Sequence, residues 1–296
     1  MSAINLRVMT FNLLTATKKK RSHPWRLRRK NIARIFQRWQ PDVVGTQEAN
    51  FEQLRDLAAL LPEYDFVGEG NLGHDRAHCE KNWYSAIFYR RDRVRPRDDS
   101  SGGQAFWLSP TPDVPGSQFH LGTRPRVVTW HDFEMVGTGQ PFVFGTTHLE
   151  AVNARHRVRS AAMLRRQVAE KVEELGADTP VFLTGDFNAV SRSPEIRALL
   201  DREAQDEPML DAWAEHHGSE SPAGATFRGL GLRDRLGHAL MGPRRIDYVF
   251  YRPQLKVETV QRVGFEDLEH RPQALPSDHY PVLAEFQLAA VAEEAS

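Results

Sequence analysis

One cysteine in 296 residues, a charge balance of zero and no apolar run near membrane-spanning length set the first limits on this chain. Cys79 has no second cysteine with which to form an intrachain disulfide, so stability must come from a packed core. Lys and Arg together number 39, as do Asp and Glu, so no global field draws the protein to nucleic acid or to an anionic membrane. Any steering of a charged ligand must be local. No apolar stretch approaches the roughly 20 residues that a membrane helix requires. Met1–Leu14 runs straight into strand-like alternation without a basic-then-apolar leader. The expectation is a reduced, cytoplasmic protein with no membrane insertion and no obligate protein partner. Repeats, low-complexity tracts and Pro/Gly/Ser linkers are missing too. That favours one domain over 1–296, with a core from about 6 to 288 and a tail over 289–296.

What is present is 40% hydrophobic and 26% charged, an ordinary globular mixture long enough for a large core. Alternating β-branched, aromatic and polar residues predict strands over Leu6–Leu13, Asp42–Gln47, Tyr84–Arg90, Arg126–Met135, Phe142–Thr147, Val181–Thr184, Arg245–Tyr251 and Val282–Leu288. Helical spacing of Ala161, Leu164, Val168, Val172 and Leu175, stopped by Gly176, predicts a helix over Asn153–Leu175. Ile32, Ile35, Phe36 and Trp39, followed by Pro41, predict a second over Arg26–Trp39. Gly68–Asn82 and Ser191–Gly242 read as long loops or insertions.

Several strands end in a polar residue. Asn12 closes the first and Glu48 follows Gln47 at the end of the second. His148 ends the Phe142 strand, Asp186 and Asn188 follow the Val181 strand, Asp247 lies in Arg245-Ile246-Asp247-Tyr248, and Asp278 and His279 precede Val282. Unpaired charges at strand ends carry a desolvation cost that is tolerated mainly where they do chemistry. An Asx turn accounts for Asp186 or Asn188 singly. It does not account for both in company with the distant histidines and Glu48.

This ordered set resembles the endonuclease/exonuclease/phosphatase superfamily: Asn12, Gln47-Glu48, Thr147-His148-Leu149, Gly185-Asp186-Phe187-Asn188, Asp247 and Ser277-Asp278-His279. The likeness runs from Val8 to Phe286. It implies an α+β fold, a four-layer sandwich of two mostly antiparallel sheets flanked by helices, and Mg²⁺- or Mn²⁺-dependent cleavage of phosphate esters. Phe106–Ser117 and Pro125–Trp130 look like a bacterial branch of hydrolases, with deadenylase-type nucleases as more distant relatives.

Residue chemistry and the resemblance together set the expected roles. Glu48 is the primary metal ligand, because Mg²⁺ takes one or two protein carboxylates and leaves room for water and phosphate. Asn12 ligates weakly, holds Glu48 or contacts phosphate, and Asp278 is an outer metal ligand or acceptor. Asp186 orients and deprotonates the attacking water, and Asn188 donates to the oxygen that gathers charge. The resemblance pairs Asp247 with His279, whose imidazolium faces the phosphoryl oxygens. By the same likeness His148 contacts phosphate or protonates the leaving oxygen, and Arg126 lies near the phosphate.

Two positions depart from relatives. Leu14 stands where some carry Asp, which favours a single metal, and Trp83 stands where an acid is common. Trp83 reads either as a packed aromatic or as a platform for a base or sugar. The basic segment Lys18, Lys19, Lys20, Arg21, Arg26, Arg28, Arg29 and Lys30 reads either as a polyanion attractor or as a solvated face. His74, His78 and Cys79 fit no closed zinc spacing. The expected activity is a phosphodiesterase acting on RNA or single-stranded DNA. A phosphatase or phosphodiesterase for a nucleotide, inositol, sugar phosphate or phospholipid headgroup is the alternative, and a silent binding module the third.

Overall fold

Period-two alternation and β-branched residues build two facing sheets. The computed structural model describes residues 4–16, 23–97, 104–201, 208–218, 220, 222–229, 242–265 and 274–288. Lys18, Lys19, Lys20, Arg21 and the tail 289–296 lie outside the described residues, as do 230–241.

The first sheet contains β1 (Ile4–Asn12), β2 (Val43–Gln47), β3 (Tyr64–Gly70), β4 (Tyr84–Arg90), β12 (Lys256–Arg262) and β13 (Val282–Leu288). Their order is β12-β13-β1-β2-β4-β3. The second contains β5 (Val94–Pro96), β6 (Gln104–Trp107), β7 (Val127–Met135), β8 (Pro141–His148), β9 (Val181–Asp186), β10 (Leu210–Asp211) and β11 (Asp247–Arg252). These run β10-β11-β9-β8-β7-β5, with β6 also on β7. Each sheet has one parallel pair, β1 with β2 and β8 with β9, and the other described pairings are antiparallel.

Leu6, Val8, Phe144, Phe182 and Phe286 are fully or almost fully buried in the core shared by the two sheets. Outside the first sheet, α1 (Trp25–Trp39) and α2 (Phe51–Leu60) place Ile32, Phe36, Leu54 and Leu57 in a core with Met9, Val44 and Phe88. On the second, α3 (Ala154–Leu175) and α4 (Pro194–Leu200) place Ala161, Leu164, Val168, Ile196 and Leu199 with Val128, Leu183 and Phe250. A short α5 (Ala212–His217) adds Trp213 to the intersheet core. The result is the expected α+β four-layer sandwich. Hydrophobic stripes on helices and faces on sheets leave few other ways to bury apolar surface.

Toward one end of the strands the intersheet layer turns polar. Gln47 Nε2 crosses from β2 to Thr146 Oγ1 on β8 at 3.0 Å, and also donates to Gly45 O at 3.1 Å. Thr46 Oγ1 and Thr184 Oγ1 donate to backbone carbonyls, so these buried hydroxyls are satisfied. Gly45 allows the approach, since a Cβ there would collide with Thr184 Oγ1 and Thr146 Oγ1 of the opposite sheet. Gly45→Ala is therefore expected to lower unfolding free energy by about 1–3 kcal/mol, read by urea denaturation. A change within 0.3 kcal/mol, or about that, would mean the sheets part freely here.

Two expectations need correction. The supposed loop Gly68–Asn82 begins inside β3, an edge strand whose Gly68, Glu69 and Gly70 obscure alternation. Ser191–Gly242 holds α4, β10 and α5.

Candidate active site

Strand register brings the polar tips to one rim. The parallel pairing of β1 and β2 sets Asn12 beside Gln47, and that of β8 and β9 sets His148 beside Asp186. Antiparallel pairing sets Asp247 opposite Asp186. The chain then bends sharply: Leu14 (φ 55°), Glu48 (φ 68°) and Asn188 (φ 50°) occupy the left-handed region just beyond β1, β2 and β9. Such backbone costs on the order of 1–3 kcal/mol per non-glycine residue and clusters where geometry serves function.

Asn12 joins the two sheets. Its Nδ2 donates to Glu48 Oε1 at 3.2 Å and to Asp186 Oδ2 at 3.0 Å, while its Oδ1 accepts from Leu14 N at 3.0 Å. The second Glu48 oxygen accepts from Thr15 N at 3.2 Å. Ser277 fastens the last motif to the same strand end, donating from Oγ to Asn12 O at 2.6 Å and accepting from His279 N at 3.2 Å.

His279 and His148 both bring Nε2 toward Asp186 Oδ2, yet their surroundings push their charge in opposite directions. His279 Nδ1 is 2.9 Å from Asp247 Oδ2, and its Nε2 is 3.7 Å from Asp186 Oδ2. Burial opposes charge on this ring, yet Asp247 and Asp186 outweigh it and hold its pKa well above the ordinary histidine value. Burial, with Arg126, His279 and Arg124 nearby, holds His148 well below that value. His148 Nε2 is 3.0 Å from Asn188 Nδ2, which donates to Leu149 O at 3.1 Å. The same Nε2 lies 3.4 Å from Asp186 Oδ2. Burial pushes the Asp186 carboxyl up, the His279 imidazolium opposes this, and Asp247 reinforces it.

The expected residues Asn12, Glu48, His148, Asp186, Asn188, Asp247 and His279 thus meet at one rim. Arg126 joins them, buried, with Nε 3.5 Å from Glu150 Oε2 but without a formed hydrogen bond on that nitrogen. Three positions refine the expected roles. One Asn188 amide hydrogen is held by Leu149 O, and Nδ2 also lies beside His148 Nε2. Asp278 and Glu48 both stand outside the group Asp186, Asp247 and His279, whose ligand atoms all lie within 4.8 Å of one another; the Asp278 side chain meets Ser277 Oγ at 3.4 Å. Trp83 has Arg124 3.5 Å over its ring and lies parallel to His148, so a base platform there is already covered.

Arg28 also changes character. It is no solvated cation, because Nε donates to His23 O (3.1 Å), Nη1 to Leu13 O and Pro276 O (both 2.7 Å), and Nη2 to Leu14 O (2.6 Å). Burial pushes its pKa down to about 10 against the attraction of Asp278 and Glu48. Arg29 pairs with Asp56 at 3.0 Å.

Sequence reasoning missed Glu150, Asn71 and Arg124. Glu150 was detectable as an acid two residues past His148. Asn71 carried no signal, yet it accepts from Trp83 N at 2.7 Å and donates to Pro125 O at 3.1 Å. Glu48, Trp83, Arg124, Arg126 and His148 line one small cleft, and a larger hollow bounded by Arg34, Trp39 and Phe265 shares no residue with it.

The donor set fits a hard divalent cation. Glu48, Asp186 and Asp247 offer carboxylate oxygens, and Asp247 Oδ1 is buried without a hydrogen-bond partner. No described helix is long and apolar enough to cross a membrane.

Comparison with known proteins bears on this rim. The model of the Endonuclease/Exonuclease/phosphatase family matches residues 9–279. Nocturnin of Drosophila melanogaster is 24% identical over 300 residues, covering 89% of this chain but 42% of Nocturnin. The chain therefore spans less than half the length of that curated relative. An endonuclease/exonuclease/phosphatase family protein of Bacteroides thetaiotaomicron is 26% identical, with TM-score 0.77 over 100% of this chain and 99% of that one. A mannosyl-6-phosphatase of the same species is 28% identical, with TM-score 0.72 over 95% and 99%.

Proposed function

The chain belongs to the endonuclease/exonuclease/phosphatase family and is a phosphoric ester hydrolase, and from that premise we propose a phosphodiesterase that uses Mg²⁺ or Mn²⁺ to cleave RNA or single-stranded DNA. The observation that carries this reading is the Asn12 amide, which holds Glu48 of one sheet and Asp186 of the other in a single polar rim. One catalytic unit spanning the chain follows, since neither sheet completes the rim alone.

Glu48 is the proposed primary metal ligand, with Asp186 and Asp247 oxygens beside it. When bound, the cation supplies Lewis acidity that draws charge from the phosphoryl group. Asp186 takes the proton of the attacking water, as a carboxylate placed beside the reacting phosphate can. Asp247 holds the His279 ring through Nδ1 and leaves Nε2 to donate to a phosphoryl oxygen. Arg126 grips the same phosphate through its planar fork. Of the two histidines, His279 carries a proton to give, so the leaving oxygen draws on it rather than on His148. Asn188 instead fixes the His148 ring, which lines the phosphate side of the cleft.

Oligoribonucleotides, single-stranded DNA and sugar phosphates are assayed side by side with Mg²⁺, Mn²⁺ or EDTA. Polynucleotide turnover that EDTA abolishes and Mg²⁺ restores is the expected outcome; chelator-resistant turnover would remove the metal from the mechanism. The mannosyl-6-phosphatase relative supports a second reading, a small phosphate monoester. Turnover confined to the sugar phosphates would select it. Asn12→Ala is expected to raise the metal concentration for half-maximal rate about 10- to 100-fold, as loss of a group that orients a ligand does. An unchanged metal titration would detach Asn12 from the cation.

A further inference from the structure

The segment entering β7 carries two arginines two residues apart, Arg124 and Arg126, and both face the cleft that also holds Glu48 and His148. Glu150 balances one of these charges, at 3.5 Å from Arg126 Nε. Arg124 makes no ion pair with any of the described residues; its guanidinium lies 3.5 Å from the Trp83 ring centroid and Nη1 donates to Lys81 O at 2.9 Å. Two neighbouring guanidinium groups, half withdrawn from water, repel one another, and each holds the other's charge at some cost. The fold nonetheless keeps them together. Asn71 ties Trp83 to Pro125, between the two arginines, through both ends of its amide. Stacking on Trp83 fixes the plane of the Arg124 fork and leaves further N–H groups to meet an anion.

We propose that Arg124, stacked on Trp83, is a specificity-determining residue that binds a second phosphoryl group of the substrate while Arg126 grips the phosphate being cleaved. Preferred substrates then carry two neighbouring phosphates. This rests on the phosphoesterase reading. Two sources share the chemistry, a polynucleotide backbone and a bisphosphorylated sugar.

The test uses the full chain with Mg²⁺ and two substrate pairs: a dinucleotide with and without a 5′-phosphate, and a hexose 1,6-bisphosphate against the 6-phosphate. The doubly phosphorylated member should be favoured in kcat/KM by about tenfold or more, the size of one charge-assisted hydrogen bond. Arg124→Gln should erase that preference and Arg124→Lys should keep part of it, and the pair that responds identifies the source. A wild-type enzyme indifferent to the second phosphate in both pairs, or a preference that survives Arg124→Gln, overturns the proposal. Calorimetric binding of pyrophosphate and orthophosphate to the wild-type protein needs neither turnover nor a folded variant. Tighter pyrophosphate binding supports the subsite and equal binding overturns it. If no phosphate ester is turned over while pyrophosphate still binds more tightly, the hydrolase reading fails and the subsite stands.

Discussion

Asp186→Asn is expected to lower kcat by about 10²- to 10⁴-fold, the usual worth of a positioned general base. The substitution keeps shape and most contacts: a carboxamide oxygen still accepts from Asn12 Nδ2 or Asn188 N, which now lie 3.0 and 2.9 Å from the carboxylate. What it removes is the capacity to take a proton and one of the carboxylates, after Asp247, whose field keeps His279 charged. Single-turnover measurement at saturating Mg²⁺ separates this loss from weakened binding, and an unchanged thermal midpoint shows the fold intact. A decrease smaller than about threefold would sink the assignment of Asp186 as the base and revive a catalytically silent binding module.

Arg28→Ala is expected to destabilise the protein by about 3–5 kcal/mol, the effect of leaving several buried carbonyls without a donor at once. Four carbonyls, those of His23, Leu13, Leu14 and Pro276, lose their guanidinium donor at once. Each buried carbonyl left unsatisfied costs about 1–3 kcal/mol, reduced where water enters. Arg28→Lys recovers only part, because an ammonium cannot span acceptors that a planar fork reaches in several directions. The links also join the turn after β1 to the segment before Ser277. Activity should therefore fall with stability, through misplacement of Asn12 and His279. Urea denaturation reads the first effect, and a loss below about 1 kcal/mol would show that the site is held by other contacts.

The contrast between Arg28 and Asp186 shows where local reading stops. In the sequence Arg28 sits among Arg26, Arg29 and Lys30 and looks like one more solvated cation. Nothing local distinguishes it, because its acceptors lie up to 248 residues away. Asp186 was legible, since an acid just beyond the apolar run Val181-Phe182-Leu183 is anomalous on desolvation grounds alone. Strands rich in β-branched and aromatic residues were legible as well: Tyr84–Arg90 and Val282–Leu288 have the predicted bounds. The edge strands β3 and β12 were not, because solvent on their outer side relaxes the hydrophobic pattern. Helix α2 was overlooked although Asn50 and Gln53 form a capping box at its start.

Residue order alone was enough for the polar strand tips, which follow from side-chain type at a given place, and through them for the family likeness, which in turn implied the α+β sandwich. It only half anticipated the contrast between the histidines: the likeness implied an imidazolium at His279 and left His148 as either a phosphate contact or a proton donor. That contrast arises from burial and from charges far apart in the chain: Asp247 beside His279, Arg126 and Arg124 beside His148. The Asn71 clamp, the Trp83–Arg124 stack and the approach of Asn188 to His148 depend likewise on contacts between distant segments. Such contacts are set by distances in space, which neighbouring residues do not encode.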